Sequence, residues 1–86
     1  MAMMLPLRSQ GKLNALVMHP IVELVGQERL LIENHQGVQF YSPNEIKIKV
    51  CYGSVIVTGG DLQLMEMSRV KLAICGKIDG LQFLGR

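Results

Sequence analysis

The sequence predicts an all-β domain of about eight short strands, and three observations carry that expectation. The first is a sixteen-residue echo in blocks that begin at Val22, Val38, Ser54 and Val70. Leu24, Phe40, Ile56 and Leu72 form one apolar column, Leu30, Ile46, Leu62 and Ile78 a second, and Ile32, Ile48 and Leu64 a third that closes on Gly80. The second is a period of two, as in Val38-Gln-Phe40-Tyr-Ser42, Ile46-Lys-Ile48-Lys-Val50 and Val70-Lys-Leu72-Ala-Ile74, which sends alternate side chains to opposite faces of a strand. The third is punctuation: the apolar runs are separated by residues that accept turn dihedrals.

Taken in order, residues 1–20 form a lead-in or cap with rules of its own. Lys12-Leu-Asn-Ala-Leu-Val-Met18 reads as a short helix or an extended segment, and Pro20 disfavours a helical His19. Residues 21–86 form a single β-repeat domain, with strands expected over 21–25, 29–34, 38–42, 45–51, 54–58, 61–67, 70–74 and 77–83. Turns are expected at Val25-Gly26-Gln27, His35-Gln36-Gly37, Ser42-Pro43-Asn44, Tyr52-Gly53-Ser54, Thr58-Gly59-Gly60-Asp61, Ser68-Arg69 and Cys75-Gly76. Eight strands in sixteen-residue pairs fit a β-solenoid, in which each pair is a rung and the columns stack directly, or an antiparallel meander or rolled sheet, in which each pair is a hairpin. The strict columns favour the solenoid. The short turns at 35–37 and 52–53 suit hairpins as well as corners.

Eighty-six residues make one domain with a modest core. Hydrophobic residues are 49% of the chain and charged residues only 19%, below the roughly 25% usual for soluble chains, so some apolar surface is expected to meet a partner or a second copy. The net charge is +2 and the basic residues are dispersed among few aromatics, which does not build a nucleic-acid platform; no nucleic acid is expected. No stretch reaches the ~18 apolar residues of a membrane span. Without a secretory signal at the start, Cys51 and Cys75 read as reduced intracellular thiols.

Candidate chemistry is sparse. Glu23, Glu28, Glu33, Glu45, Asp61, Glu66 and Asp79 fall at turns or on outward strand positions, where solvated charge is the ordinary role. No serine, histidine and acid share a hydrolase spacing, and Thr58-Gly-Gly-Asp61 is too short and too β-flanked for a phosphate loop. His35 and Cys51 are sixteen apart and would stack in a solenoid, but Met67 and Phe83 continue that column and supply no further ligand, so neither metal nor cofactor is expected. The chain reads as a non-enzyme. Outward positions become greasy in the second half, at Val55, Val57, Met65, Met67, Leu81 and Phe83, and these six are the candidate interaction surface. A second reading is a small-ligand or nucleic-acid binding module on the outward face around Lys47, Lys49 and Lys71.

His19-Pro-Ile-Val-Glu-Leu-Val-Gly26, Leu30-Leu-Ile-Glu-Asn-His-Gln-Gly-Val38, Tyr41-Ser-Pro-Asn-Glu-Ile46 and the Tyr52-Gly53 turn resemble the YabP/YqfC family of small proteins from endospore-forming bacteria, on its YqfC side. The likeness spans residues 21 to 83. It implies a role in spore formation with no catalytic residues to carry over, and work with a membrane protein of the YqfD type that would hold a cytoplasmic protein at the membrane. The apolar outward positions and open strand edges add self-assembly as a scaffold as the other contact expected.

Overall fold

A computed structural model of the chain describes residues 19–85, so the expected lead-in lies outside the described residues except for His19 and Pro20. Six strands follow: β1 (Ile21–Val25), β2 (Arg29–Glu33), β3 (Val38–Tyr41), β4 (Glu45–Val50), β5 (Gly53–Met67) and β6 (Lys71–Gly85). There is no helix among the described residues. The first four strands match the expected ones to within a residue or two. The last four expected strands are in fact two, because Thr58-Gly-Gly-Asp61 and Cys75-Gly76 are bends inside continuous strands of 15 residues each.

All neighbours are antiparallel, in one open sheet of order β1-β2-β6-β5-β4-β3. The solenoid is therefore corrected, and so is the four-rung repeat. The sheet is not a meander either, because β2 pairs with β6 rather than with β3. The physical reason lies in the turns. Two residues, Cys51 and Tyr52, join β4 to β5, with Val50 opposite Gly53, and a connection that short reverses the chain within one sheet. At the β3–β4 turn Ser42 Oγ accepts the amides of Asn44 at 3.3 Å and Glu45 at 3.0 Å. At the β5–β6 turn Ser68 Oγ accepts those of Val70 at 3.4 Å and Lys71 at 3.0 Å. Serine thus closes both reversals with its own side chain.

The sheet is folded double. Asn34 N–H donates to Val70 O at 2.6 Å, while Gln36 N–H donates to Lys49 O at 2.7 Å. Lys49 pairs with Ser54 near the start of β5, and Val70 lies just past its end. A straight strand from 54 to 68 would separate these points by about 46 Å at ~3.3 Å per residue. Residues 34 and 36 lie at most about 7.6 Å apart, two Cα steps. The two ends of the long hairpin therefore meet, and the bends make that possible.

At the bends the two long strands approach too closely for side chains. A Cβ on Gly59 would collide with the Lys77 carbonyl oxygen, and one on Gly76 would lie 2.5 Å from Asp61 O. Gly76 also has φ +130°, a conformation that L residues rarely adopt. Asp61 takes a left-handed φ of 52°, and the pairing shifts between Gly60 and Gln63, as expected of a bulge that re-aims a strand.

Beyond the bends lie two four-stranded halves. One is β3, β4, the start of β5 and the end of β6; the other is β1, β2, the start of β6 and the end of β5. Ile46, Ile48, Val50, Val55 and Val57 from the first half join Leu30, Ile32, Leu72 and Ile74 from the second, with Leu62 and Ile78 at the bends, in one buried cluster. Each such side chain contributes about 1.5–3 kcal/mol by leaving water.

The sixteen-residue echo has a structural meaning other than stacking. Leu62 N–H donates to Pro43 O and Ile78 N–H to Gln27 O, both at 2.8 Å, so each hairpin lays its turn on the bend of one long strand in the same way. Hairpin β1–β2 corresponds to β3–β4, and β5 to β6, in a pseudo-two-fold arrangement. The column Leu30, Ile46, Leu62 and Ile78 is accordingly buried throughout. Leu24 and Phe40 of the first column are instead about half exposed on edge strands.

Ile48→Ala should cost about 2–5 kcal/mol in urea denaturation and Lys47→Ala less than ~0.5; the reverse ranking would mean that β4 is out of register by one residue. Neighbouring glycines should also separate. Gly59→Ala should lose up to about 3 kcal/mol by overpacking on the Lys77 carbonyl, whereas Gly60→Ala, with nothing within 4 Å of its added methyl, should be close to neutral.

Candidate interaction surface

The six outward residues expected from the sequence fall into three settings. Val55 and Val57 are fully buried in the core, which removes them from any surface. The reason is hairpin arithmetic: the two-residue turn sets Ile48 opposite Val55 and Ile46 opposite Val57, so odd-numbered residues of β5 share the face of even-numbered residues of β4. Leu81 is partly buried, opposite Val57 and packed against the core. Met65, Met67 and Phe83 are 63%, 54% and 52% exposed.

Their exposure follows from the ladder. Between the pairs Leu64–Ile74 and Glu66–Ala73, Met65 is the extra residue of a bulge and has no partner across the strand. Met67 lies opposite Leu72 and Phe83 opposite Val55, each in the outermost strand of its half-sheet. They belong to different halves and do not form the single patch expected. They are related by the pseudo-two-fold, sixteen residues apart.

What the exposed residues share is an edge. Residues 63–67 of β5 pair with β6 on one side, and residues 80–85 of β6 pair with β5 on one side; neither has a second neighbouring strand among the described residues. The edge of β6 reads Gly-Leu-Gln-Phe-Leu-Gly and carries no charge, and that of β5 carries only Glu66. Charged or proline-bearing edges resist pairing with other chains, and these lack that protection. β1, with exposed Ile21, Leu24 and Val25, and β3, with exposed Phe40 and Tyr41, form the outer edges of the sheet. Leu24 and Phe40, members of one column read as interior from the sequence, are exposed on these edges. The signal available was that each begins a hairpin whose second strand, β2 or β4, carries the buried residues.

His35 holds the closed ends of the fold together. It is 7% exposed, and its Nδ1 accepts the Gly37 amide at 3.0 Å, so the ring proton sits on Nε2, which donates to Ser68 O at 2.9 Å. Both ring nitrogens are engaged by backbone, a structural role in place of the metal pairing with Cys51. Among the described residues no three His, Cys, Asp or Glu side chains gather into a metal-binding group, and the cysteines are free and half-buried. Tyr41 adds a bond of 3.3 Å from its hydroxyl to Leu62 O, and Asn44 Nδ2 donates to Gly59 O at 3.1 Å, so β3 and its turn are tied to the bend of β5.

Fold and surface together define a small, doubled antiparallel sheet with strand edges left unpaired among the described residues. The model of the YabP family matches residues 18–86, and the chain belongs to that family. It is similar to the uncharacterized protein YqfC of Bacillus subtilis, with 26% identity over 65 residues that cover 76% of this chain and 70% of that protein. No solved structure matches it. No helix among the described residues is long and apolar enough to cross a membrane.

His35→Ala leaves the Gly37 amide and the Ser68 carbonyl without their partner, and should cost about 1–3 kcal/mol. Amide hydrogen exchange should accelerate first at Asn34 and Gln36, whose backbone bonds close the same ends. Acceleration confined to the Gly59 and Gly76 bends would contradict this role for the histidine.

Proposed function

We propose that this protein acts in spore formation without catalysing a reaction, by offering its strand edges to other chains: to further copies of itself, or to a membrane-protein partner that holds it at the membrane. Membership of the YabP family supports the setting. The observation that carries the contact mechanism is the uncharged edge at residues 80–85, with Leu81, Phe83 and Leu84 beside unpaired backbone. Main-chain hydrogen bonds to an added strand give such an edge its affinity, and the side chains flanking it give selectivity. Its counterpart at 63–67, with Met65 and Met67, provides a second attachment line on the other half-sheet. Two non-equivalent edges on one molecule allow an edge of one copy to meet the other edge of the next, which extends rather than closes an assembly.

The test is mass measurement by light scattering over a wide concentration range, with circular dichroism as the control for folding. Leu81→Pro and Phe83→Asp should reduce association by more than about tenfold, because one removes an amide donor and fixes φ in an edge strand and the other charges it. Lys71→Ala should leave it unchanged. A wild-type protein that stays monomeric at every concentration, and that captures no membrane protein from sporulating cells in a manner sensitive to Phe83→Asp, would overturn the reading.

A further inference from the structure

The outer face of the half-sheet formed by β3, β4, the start of β5 and the end of β6 carries a groove of about 460 Å³. Ser54 is its floor. It lies opposite Lys49 on one side and Leu84 on the other, and is only 9% exposed although it points away from the main core. Lys47 and Lys49, two residues apart on β4, project from the same face into the groove, and Gln36 and Gln39 complete its wall. Gln39 is placed there by an irregularity in the β3–β4 ladder between Val38 and Phe40, a device that re-aims a side chain.

The hydrogen bonding makes this groove one-signed. Ser54 Oγ donates to Gln39 Oε1 at 2.9 Å, which takes up one lone pair of the amide oxygen, while the Nε2 hydrogens have no hydrogen-bond partner among the described residues. With two ammonium groups beside them, the free groups are predominantly donors, and none of the lining residues carries a carboxylate. The nearest acid along the strand, Glu45, is two residues beyond Lys47, opposite Thr58, and does not line the groove. Lysine binds phosphate as a compact, rotatable point charge that accepts a tetrahedral oxyanion from several directions.

We infer that this groove binds a phosphate group, carried either by a soluble phosphate ester or by the headgroup of a lipid. The site lies on the outer face of the half-sheet and shares only Leu84 and Gly85 with the edge at residues 80–85. Lys47 and Lys49 supply the charge, and the Gln39 amide, steadied by Ser54, supplies a directed donor.

The full chain, labelled with nitrogen-15, is titrated with inorganic phosphate at constant ionic strength. Saturable shifts are expected at Gln39, Lys49 and Ser54, with affinity reduced about tenfold or more in the Lys47→Gln, Lys49→Gln double variant. In a second arm, sedimentation with phosphatidylglycerol vesicles, but not phosphatidylcholine vesicles, that is lost in the double variant assigns the lipid headgroup. Phosphate binding without vesicle binding assigns a soluble ester. Shifts spread evenly over Lys71 and Lys77 as well, or affinities for phosphate and vesicles that the double variant leaves unchanged, would overturn the inference. Gln39→Leu keeps both charges and removes the directed donor, so it should weaken phosphate binding while leaving the salt dependence of what remains.

Discussion

Where β5 and β6 pass each other at the bend, their backbones run closer than side chains permit, because a Cβ on Gly59 would occupy the place of the Lys77 carbonyl oxygen and one on Gly76 would crowd that of Asp61. That approach lets two 15-residue strands turn together without breaking their ladder. A straight six-stranded sheet of this composition would leave one apolar face in water. Bent, it becomes its own second layer, and eleven buried residues from both halves meet in one cluster. The short hairpins then serve each half by widening it, and their turns lie on the bends through the bonds from Leu62 to Pro43 and from Ile78 to Gln27.

The closure is secured from the opposite end by residues 34–37. These join β2 in one half to β3 in the other, and they bind Val70, Ser68 and Lys49 in passing. The connection is short, so it can reach only if the halves face each other. Asn34 adopts a left-handed φ of 67°, within the reach of asparagine, to make the turn into it. His35 is buried in consequence, and a polar ring in that place is tolerated because both nitrogens are satisfied.

The arrangement also fixes the surface. In the middle of the hairpin each long strand changes neighbours, so β5 is interior to one half and an edge of the other, and β6 the converse. A molecule built in this way has more free edge than its six strands would suggest. The apolar side chains there, Met65 and Met67 on one and Phe83 and Leu84 on the other, are left exposed by topology, since no further strand of the sheet lies beside them among the described residues. The same doubling leaves a true outer face on each half, where Lys47, Lys49 and Ser54 share one surface because alternate residues of a strand must.

The sequence by itself determined that the domain is all-β, where its first four strands lie, and that Leu30, Ile46, Leu62 and Ile78 belong inside, because alternation and turn chemistry are local and leave their mark residue by residue. The residues Ile32-Glu-Asn-His-Gln-Gly37 and their neighbours also carried the family. Sixteen-residue periodicity was legible too, but not what it meant: stacked rungs and two paired hairpins related by a pseudo-two-fold leave the same columns. Only the tertiary structure decided that Thr58-Gly-Gly-Asp61 and Cys75-Gly76 bend a strand where the same residues elsewhere would end it, since the difference lies in whether a second backbone runs alongside. It likewise decided the fate of Val55 and Val57. Their face depends on the two-residue reversal at Cys51 and Tyr52, and a single-residue change of register in that pairing moves every later side chain from water to core.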